Sequence, residues 1–480
     1  MTSKTVPLRT RYREIADRLE QAIRTGAHLP GSRMPSVRDL CRTWTASITT
    51  VTAAYDLLER RGLVETRPQS GHFALRPRGA PEPDVQRTRL VPTDVTLGQL
   101  ALMVMKDSLD PRLVPFGPGL PDPELLPVAE LQRIVARLGR AGEAPLATYG
   151  VPPGLESLRI AIARHGAGFG CAISPEEVVV TAGALEALTL ALRATCRAGQ
   201  TVAIESPLYY GLLQSIEALG LRVIEIPTDP RHGLSLAALR EALDEHPVAA
   251  VVAMPTGSNP LGCRAGDEAT RELVELLAGR GIPLIEDDAW GDLALDGSRP
   301  RPAKAFDRAG LVLWCSSLSK TVTPGLRIGW IAAGCFQAAV EHLLFTNAIG
   351  PSPLSQAVAA AYFHDGGLPR CLRRARDMYA MRTTAMADAV IEAFPTGTRV
   401  GRPQVGFCLW VELPEGLDGQ AVYDAALRLG ISITPGRLFS AKLRYRHFIR
   451  LCAAQWSESL RPDVRRLGKA ITKLRQISTS

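Results

Sequence analysis

The residues best suited to chemistry gather around one amine. Lys320 closes the run Ser317-Leu318-Ser319-Lys320, and Arg327 follows seven residues later in TPGLRIGW. A lysine condenses with an aldehyde when its amine is partly desolvated and held among cationic or hydrogen-bonding neighbours. Two hydroxyls and a guanidinium beside it also suit a phosphate. Upstream, Asp287 ends an apolar run in IPLIEDDAWGD, where its carboxylate would keep a pyridine nitrogen protonated. Its neighbour Asp288 is expected to matter less, because alternate residues of a strand end face opposite ways. Asn259 in PTGSNPLG would hydrogen-bond a phenolic oxygen, and Tyr209 in ESPLYYG would stack on a ring. Gly183 in VVVTAGALEALTLAL lies where a β-branched run gives way to a helical pattern, so backbone N–H groups at a helix N-terminus favour an anion there. A ring aldehyde carrying a phosphate, pyridoxal 5'-phosphate, uses all of these groups, with Lys320 forming the Schiff base.

Taken singly, each motif has an ordinary explanation. A lysine is usually solvated, Asn-Pro is usually a turn, and a carboxylate after a strand is usually a cap. Their joint order in strand-loop-helix context is what carries the reading. Across roughly residues 113–480 the set resembles the fold-type-I pyridoxal-phosphate aminotransferases. That resemblance implies an α/β domain with a mostly parallel central sheet and a smaller C-terminal α+β subdomain from about residue 350 to 480. It implies a phosphate cup of Ser317, Ser319 and Arg327, with Ala184 and Leu185 adding only backbone N–H groups. It also implies that Tyr149, in ATYGVPPGLESLR, reaches the cofactor phosphate of a neighbouring subunit. Arg450, in FIRLCAA, would clamp a substrate α-carboxylate with its planar fork. Trp290 stands where many relatives have a tyrosine, and an indole N–H donates but does not titrate.

The first ninety residues have a different character. Up to Pro92 the chain carries sixteen Lys and Arg against nine Asp and Glu, which is seven of the whole chain's eight net positive charges. Such concentration in a small segment is the footprint of a part that approaches a polyanion. Tyr12, Ile15, Ala16, Leu19, Ala22 and Ile23 recur at helical spacing, and Gly26, Pro30 and Gly31 stop that helix. Ser36 with Asp39 begins a second helix. A third runs from about Ser47 to Arg61 with Val51, Ala54, Tyr55 and Leu58 inward. LVETR and HFALR flank a Pro-Gln-Ser-Gly turn, which reads as a hairpin. Three helices and a hairpin predict a winged helix-turn-helix.

The run PGSRMPSVRDL and the following SITTVTAAYDLLERRGLVETRPQSGHF resemble the GntR family of bacterial regulators. The resemblance implies a third helix in the major groove and a wing on the backbone or minor groove. The implied contacts to double-stranded operator DNA are Arg33, Arg38, Ser47, Thr49 and Thr50, with wing residues Arg67 to His72, including Ser70, Gly71 and His72. Ile48 replaces an arginine common in relatives.

These readings divide the chain into a DNA-binding domain (1–75), a linker (76–92) and an aminotransferase-like domain (93–480). The linker carries four prolines and repeated arginines and reads as semi-rigid and solvated. After it, Leu97, Leu100, Ala101 and Val104 mark a helix docking on the large domain. With 480 residues and 46% hydrophobic content the chain is long enough for sizeable cores. The nine cysteines are scattered through apolar runs without metal-type spacing, so buried free thiols and no metal are expected. No apolar leader or membrane-length run is visible, which points to the cytoplasm.

A winged helix followed by an aminotransferase-like domain is the order of the MocR branch of the GntR family. The resemblance implies a homodimer docked head to tail. The function expected is a pyridoxal-phosphate-dependent transcriptional regulator that senses an amino compound or the cofactor itself. The alternatives left open are a working aminotransferase with an appended DNA-binding domain, and a cofactor-binding relic in which DNA binding alone matters.

Overall fold

Three helices and a two-stranded hairpin build the N-terminal unit of the computed structural model, whose chain divides into Met1–Pro81 and Glu82–Ser480. The structure describes residues 8–24, 28, 32–67, 71–75, 82–86, 88, 90–96, 98–142 and 145–479. The expected helix stop at Gly26, Pro30 and Gly31 lies outside them. Helix α1 (Leu8–Arg24) buries Ile15, Ala16, Leu19 and Ile23 along one stripe. Helix α2 (Val37–Trp44) opens at Ser36, whose hydroxyl accepts from the Asp39 N–H, and ends at Thr45 in the left-handed region (φ 48°). Helix α3 (Ile48–Arg60) opens at Ser47, whose hydroxyl accepts from the Thr50 N–H, and buries Val51, Ala54, Tyr55, Leu57 and Leu58. Gly62, at φ 65°, turns the chain into strand β1 (Val64–Arg67), which pairs antiparallel with β2 (Gly71–Ala74). Arg61 ties α3 to α1 through Asp17 and Glu20, both at 2.6 Å.

The large unit is organised by a sheet most of whose strand residues are buried. Strands Arg222–Asp229, Thr201–Ser206, Val248–Ala253, Leu284–Asp287 and Val312–Ser317 lie side by side and parallel. Gly329–Ala332 runs antiparallel between Val312–Ser317 and Val178–Thr181, so the sheet is mixed. Runs such as VLWCSS and TVAIES are buried at every residue, as expected of strands covered on both faces. A second, four-stranded antiparallel sheet places Cys408–Glu412 beside Phe448–Cys452, with Arg399–Val400 and Thr434–Pro435 outside them.

The described residues of the expected linker differ in part from a solvated spacer. The short strand Thr93–Asp94 joins the large sheet alongside Arg222–Asp229. This draws the preceding residues onto the same unit. Thr88 Oγ1 donates to the Glu225 carbonyl at 2.8 Å, Asp84 N to Glu412 at 3.0 Å, and Arg231 pairs with Glu82 at 2.9 Å. The helix expected near residue 100 is Gly98–Ser108, with Ala101 and Val104 buried; Leu97 lies outside the described residues.

Candidate functional site

Parallel strands deliver the candidate residues to one end of the large sheet. Asp287 and Ser317 are the last residues of neighbouring strands, and Lys320 follows Ser317 by three. Tyr209 and Asn259 follow the strands Thr201–Ser206 and Val248–Ala253, and Gly183 follows Val178–Thr181. Loops at the carboxyl ends of parallel strands are where α/β sheets bind ligands.

The Lys320 amine donates to the Gly119 carbonyl at 2.6 Å and lies 5.1 Å from the Trp290 ring. Burial lowers its pKa, and the Arg450 cation adds to this. Asp287 is 3% exposed and accepts from the Ala289 N–H at 3.1 Å. Burial first, and Asp288 with it, push its carboxyl up to about 6 against the opposing effect of that N–H. No basic side chain lies within ion-pair distance of it among the described residues. Asp288 is fully engaged instead, accepting from Thr256, Trp314 Nε1 (2.7 Å) and Arg299. The two adjacent aspartates therefore face different partners.

A guanidinium lies against the helix start that follows the strand Val178–Thr181. Gly183 (φ 106°) precedes the helix Ala184–Thr195, and a Cβ there would come within 2.5 Å of the Arg327 guanidinium. Arg327 Nη2 donates to the Ala182 carbonyl at 2.7 Å, which holds its fork across the helix start. Ser317 and Ser319 adjoin each other, with Ser319 N 3.4 Å from Ser317 Oγ. The Tyr209 ring lies back over Gly211 and its hydroxyl pKa is raised, chiefly by burial.

Arg450 is the buried cation of the site, at 1% exposure. Its fork donates to the Gly117 carbonyl (2.8 Å), Thr434 Oγ1 (3.3 Å) and Asn259 Oδ1 (3.2 Å). Its Nε has no partner, and no carboxylate lies within ion-pair distance among the described residues. Gly117 and Gly119, in the FGPGLPDP stretch, thus supply carbonyls to both Arg450 and Lys320. Sequence reasoning passes over them, and the only sign of a special backbone there is the Gly-Pro-Gly itself.

Residues 126–465 match the aminotransferase class I and II family, and residues 11–73 match the bacterial regulatory proteins of the gntR family. The HTH-type transcriptional regulator YdcR of Escherichia coli K12 is 38% identical over 466 residues, covering 96% of this chain and 99% of that protein. YjiR of the same organism is 35% identical over 464 residues, with 96% and 99% covered. This chain belongs to the MocR branch of the GntR family.

Among solved structures, the multiple substrate aminotransferase of Thermococcus profundus superposes with a TM-score of 0.74 at 27% identity, covering 80% of this chain and 96% of that one. The α-aminoadipate aminotransferase LysN of Thermus thermophilus, complexed with N-(5'-phosphopyridoxyl)-L-leucine, gives 0.73 at 27% identity, with 80% and 96% covered. The large unit of this MocR-type regulator therefore has the fold of pyridoxal-phosphate aminotransferases, and its winged helix-turn-helix is a DNA-binding domain.

Within that MocR-type head the expected DNA contacts divide into two groups. Arg33, Arg38, Ser47, Thr49 and Arg67 are exposed, as is Ile48 at 64%. Arg33 lies against Gly71, with its Nε 3.4 Å from where a Cβ would stand. Arg67 packs over Phe73 and pairs with Glu65 at 3.0 Å. Thr50 corrects the expectation: it is buried, and its hydroxyl is 2.7 Å from Ser47 Oγ, where it serves the helix cap. His72 is half-buried: its ring stacks on the buried Tyr55 at 3.9 Å and its Nδ1 meets Thr66 Oγ1 at 3.0 Å. Of these two, only the Thr50 side chain is buried in the head. Ser70 lies outside the described residues. Tyr149 is 80% exposed.

Proposed function

We propose that the large unit binds pyridoxal 5'-phosphate together with an amino compound bearing a carboxylate, and that this binding sets the placement of the DNA-reading heads in a homodimer. The observation that carries the reading is Arg450. A buried guanidinium without a counter-ion is costly by several kcal/mol, and an incoming carboxylate offsets that cost with bidentate hydrogen bonds. Its contact with Asn259 links the carboxylate position to the cofactor position.

The residues present fit the cofactor. Lys320 has a desolvated amine suited to covalent attachment, and Asp287 is a buried carboxylate without a cation, suited to a protonated ring nitrogen. Asn259 and Trp290 would meet the phenolic oxygen, and Tyr209 the ring face. Gly183, Ala184 and Leu185 through their N–H groups, with Ser317, Ser319 and Arg327, would hold the phosphate. When bound, the cofactor supplies a carbonyl for amines and an electron-withdrawing ring. Asp287 keeps a proton at the ring nitrogen, Arg450 orients the carboxylate, and the Gly119 carbonyl aims the Lys320 amine.

The homodimer is supported by an exposed apolar patch. Tyr149, Val151 and Ile349 are all exposed, on loops that touch where Gly350 packs against the Gly150 carbonyl. Tyr149 would enter the partner's phosphate site from there. Arg33, Arg38, Ser47, Thr49, Arg67, Gly71 and His72 would contact the DNA, with Ser70 as the sequence implies. A coupling of about 1–3 kcal/mol between effector and head placement is sufficient for regulation. No helix among the described residues is long and apolar enough to cross a membrane, and a cytoplasmic location fits the DNA-binding role.

The test is a titration of the cofactor-loaded protein with an amino-acid panel, read by visible absorption and by DNA binding at one salt concentration. A spectral change with altered DNA affinity and no turnover supports the sensor. Multiple-turnover amino transfer to a keto acid at ordinary enzyme rates would make the protein a transferase instead. DNA binding indifferent to both cofactor and amino acid would reduce the large unit to a scaffold.

A further inference from the structure

The strands that carry Arg450 also set two thiols against each other. Cys408 opens the strand Cys408–Glu412 and Cys452 closes Phe448–Cys452, and the antiparallel register places them directly opposite. Ala453 N donates to the Phe407 carbonyl at 2.8 Å, whereas Cys452 N turns away to the Phe116 carbonyl at 2.8 Å. The 408/452 position is therefore a non-hydrogen-bonded pair, the kind in which opposing Cα atoms come within about 4.5 Å and side chains approach most closely. The two sulfurs are 3.1 Å apart. Because side chains alternate along a strand, both thiols share a face with the Trp410/Arg450 pair two residues away. They stand in the wall that holds the candidate carboxylate-binding arginine.

The surroundings make the pair asymmetric. Burial raises the Cys452 thiol, but the hydrogen bond from Cys408 and the nearby Arg450 and Lys320 cations outweigh burial and bring its pKa below the ordinary thiol value. Cys408, through its bond to Cys452 and its own burial, is pushed well above it. The lowered Cys452 thiol favours it as the attacking sulfur, with Cys408 directly opposite as its partner. Both sulfurs feel the charge of Lys320, and both are buried, so the oxidant that reaches them must be as small as hydrogen peroxide.

We propose that Cys408 and Cys452 form a redox site that a hydroperoxide closes into a disulfide and a dithiol reopens. The Cys452 thiolate attacks the O–O bond of hydrogen peroxide, gaining one oxygen as a sulfenic acid while the other leaves as water after taking up a proton. The Cys408 sulfur then attacks the Cys452 sulfur, the S–O bond breaks, and the Cys408 proton leaves with the oxygen as a second water. Two thiols are oxidised and one peroxide is reduced. A dithiol reopens the bond by exchange, taking the disulfide's two sulfurs back to thiols while it is itself oxidised. Closure removes the thiolate that lies near Arg450, so the oxidation state acts on the same wall as the ligand. The cross-link itself does not depend on what that ligand is.

The experiment treats the full-length, cofactor-loaded protein with hydrogen peroxide, blocks remaining thiols, and maps unreduced peptides by mass spectrometry. The expected product joins the peptides of Cys408 and Cys452, is two hydrogens lighter than the two thiol peptides combined, and disappears on dithiothreitol treatment with both thiols regained. Cys408→Ser and Cys452→Ser should each abolish it, and Cys335→Ser, at an exposed cysteine, should leave it. The proposal is overturned if both thiols of the wild-type protein stay alkylatable after Cys335 has been oxidised. It is equally overturned if Cys452 goes to sulfinic acid without the joined peptide, or if dithiothreitol does not restore the thiols.

Discussion

Asp287 carries a conflict between stability and binding that can be measured. Its carboxyl is pushed up to about 6 by burial in the folded protein, against about 4 in an unfolded chain. A raised folded pKa means that the folded state binds the proton more tightly, so its stabilising contribution is full below pH about 4 and is lost as pH rises to about 6. Holding the bare anion above that pH costs about 3 kcal/mol, as an order of magnitude. Asp287→Asn does not titrate and can still accept from the Ala289 N–H. In cofactor-free full-length protein the variant should match the wild type near pH 4, gain on it through pH 6, and exceed it by about 2–3 kcal/mol at pH 7.5. Glu205, pushed up to about 7 chiefly by burial, titrates in both proteins, so its effect largely cancels in the difference. Urea unfolding at several pH values, followed through the Glu82–Ser480 transition, measures that difference. With cofactor present the order should invert, because the ring nitrogen becomes the missing cation. A difference independent of pH, or a more stable wild type at pH 7.5 without cofactor, would refute the assignment of Asp287 as an uncompensated buried anion.

Three further outcomes are expected. Lys320→Ala should abolish borohydride trapping of cofactor while circular dichroism stays that of the wild type, and peptide mapping of the wild type should find the label on Lys320 alone. Arg450→Lys keeps the charge but loses the fork, so affinity for a carboxylate-bearing amino acid should fall by about 10–100-fold, or about 1.5–3 kcal/mol; the matching amine without a carboxylate should bind both proteins alike. Arg38→Ala and Arg67→Ala should each weaken DNA binding across sequences and lower the salt slope by about 1, measured by fluorescence anisotropy at several salt concentrations, without changing the visible spectrum of the bound cofactor.

Local sequence determined the elements and most of the candidate cofactor residues. The apolar stripe of α1 and the helix starts at Ser36 and Ser47 depend on neighbours within a turn or two, and each forms as its spacing predicts. Lys320, Asp287, Asn259, Tyr209 and Gly183 were legible because each follows a strand-like run, and parallel strands bring their carboxyl ends together. Tertiary structure alone decided what each group faces. Asp288 is consumed by Arg299, Trp314 and Thr256, while Asp287 is left without a cation. Thr50 turns inward because the helix cap claims it, and His72 stacks on the Tyr55 ring. The Lys320 amine meets a carbonyl 201 residues away, and the Arg450 fork meets one 333 residues away. Backbone carbonyls carry no mark in a sequence, so such partners are invisible there. Cys408 and Cys452 look scattered along the chain, and only the register between their two strands brings the sulfurs into contact. Short-range patterns set the elements, because helices and caps are local; strand register and packing set the partners, because those interactions join residues hundreds of positions apart.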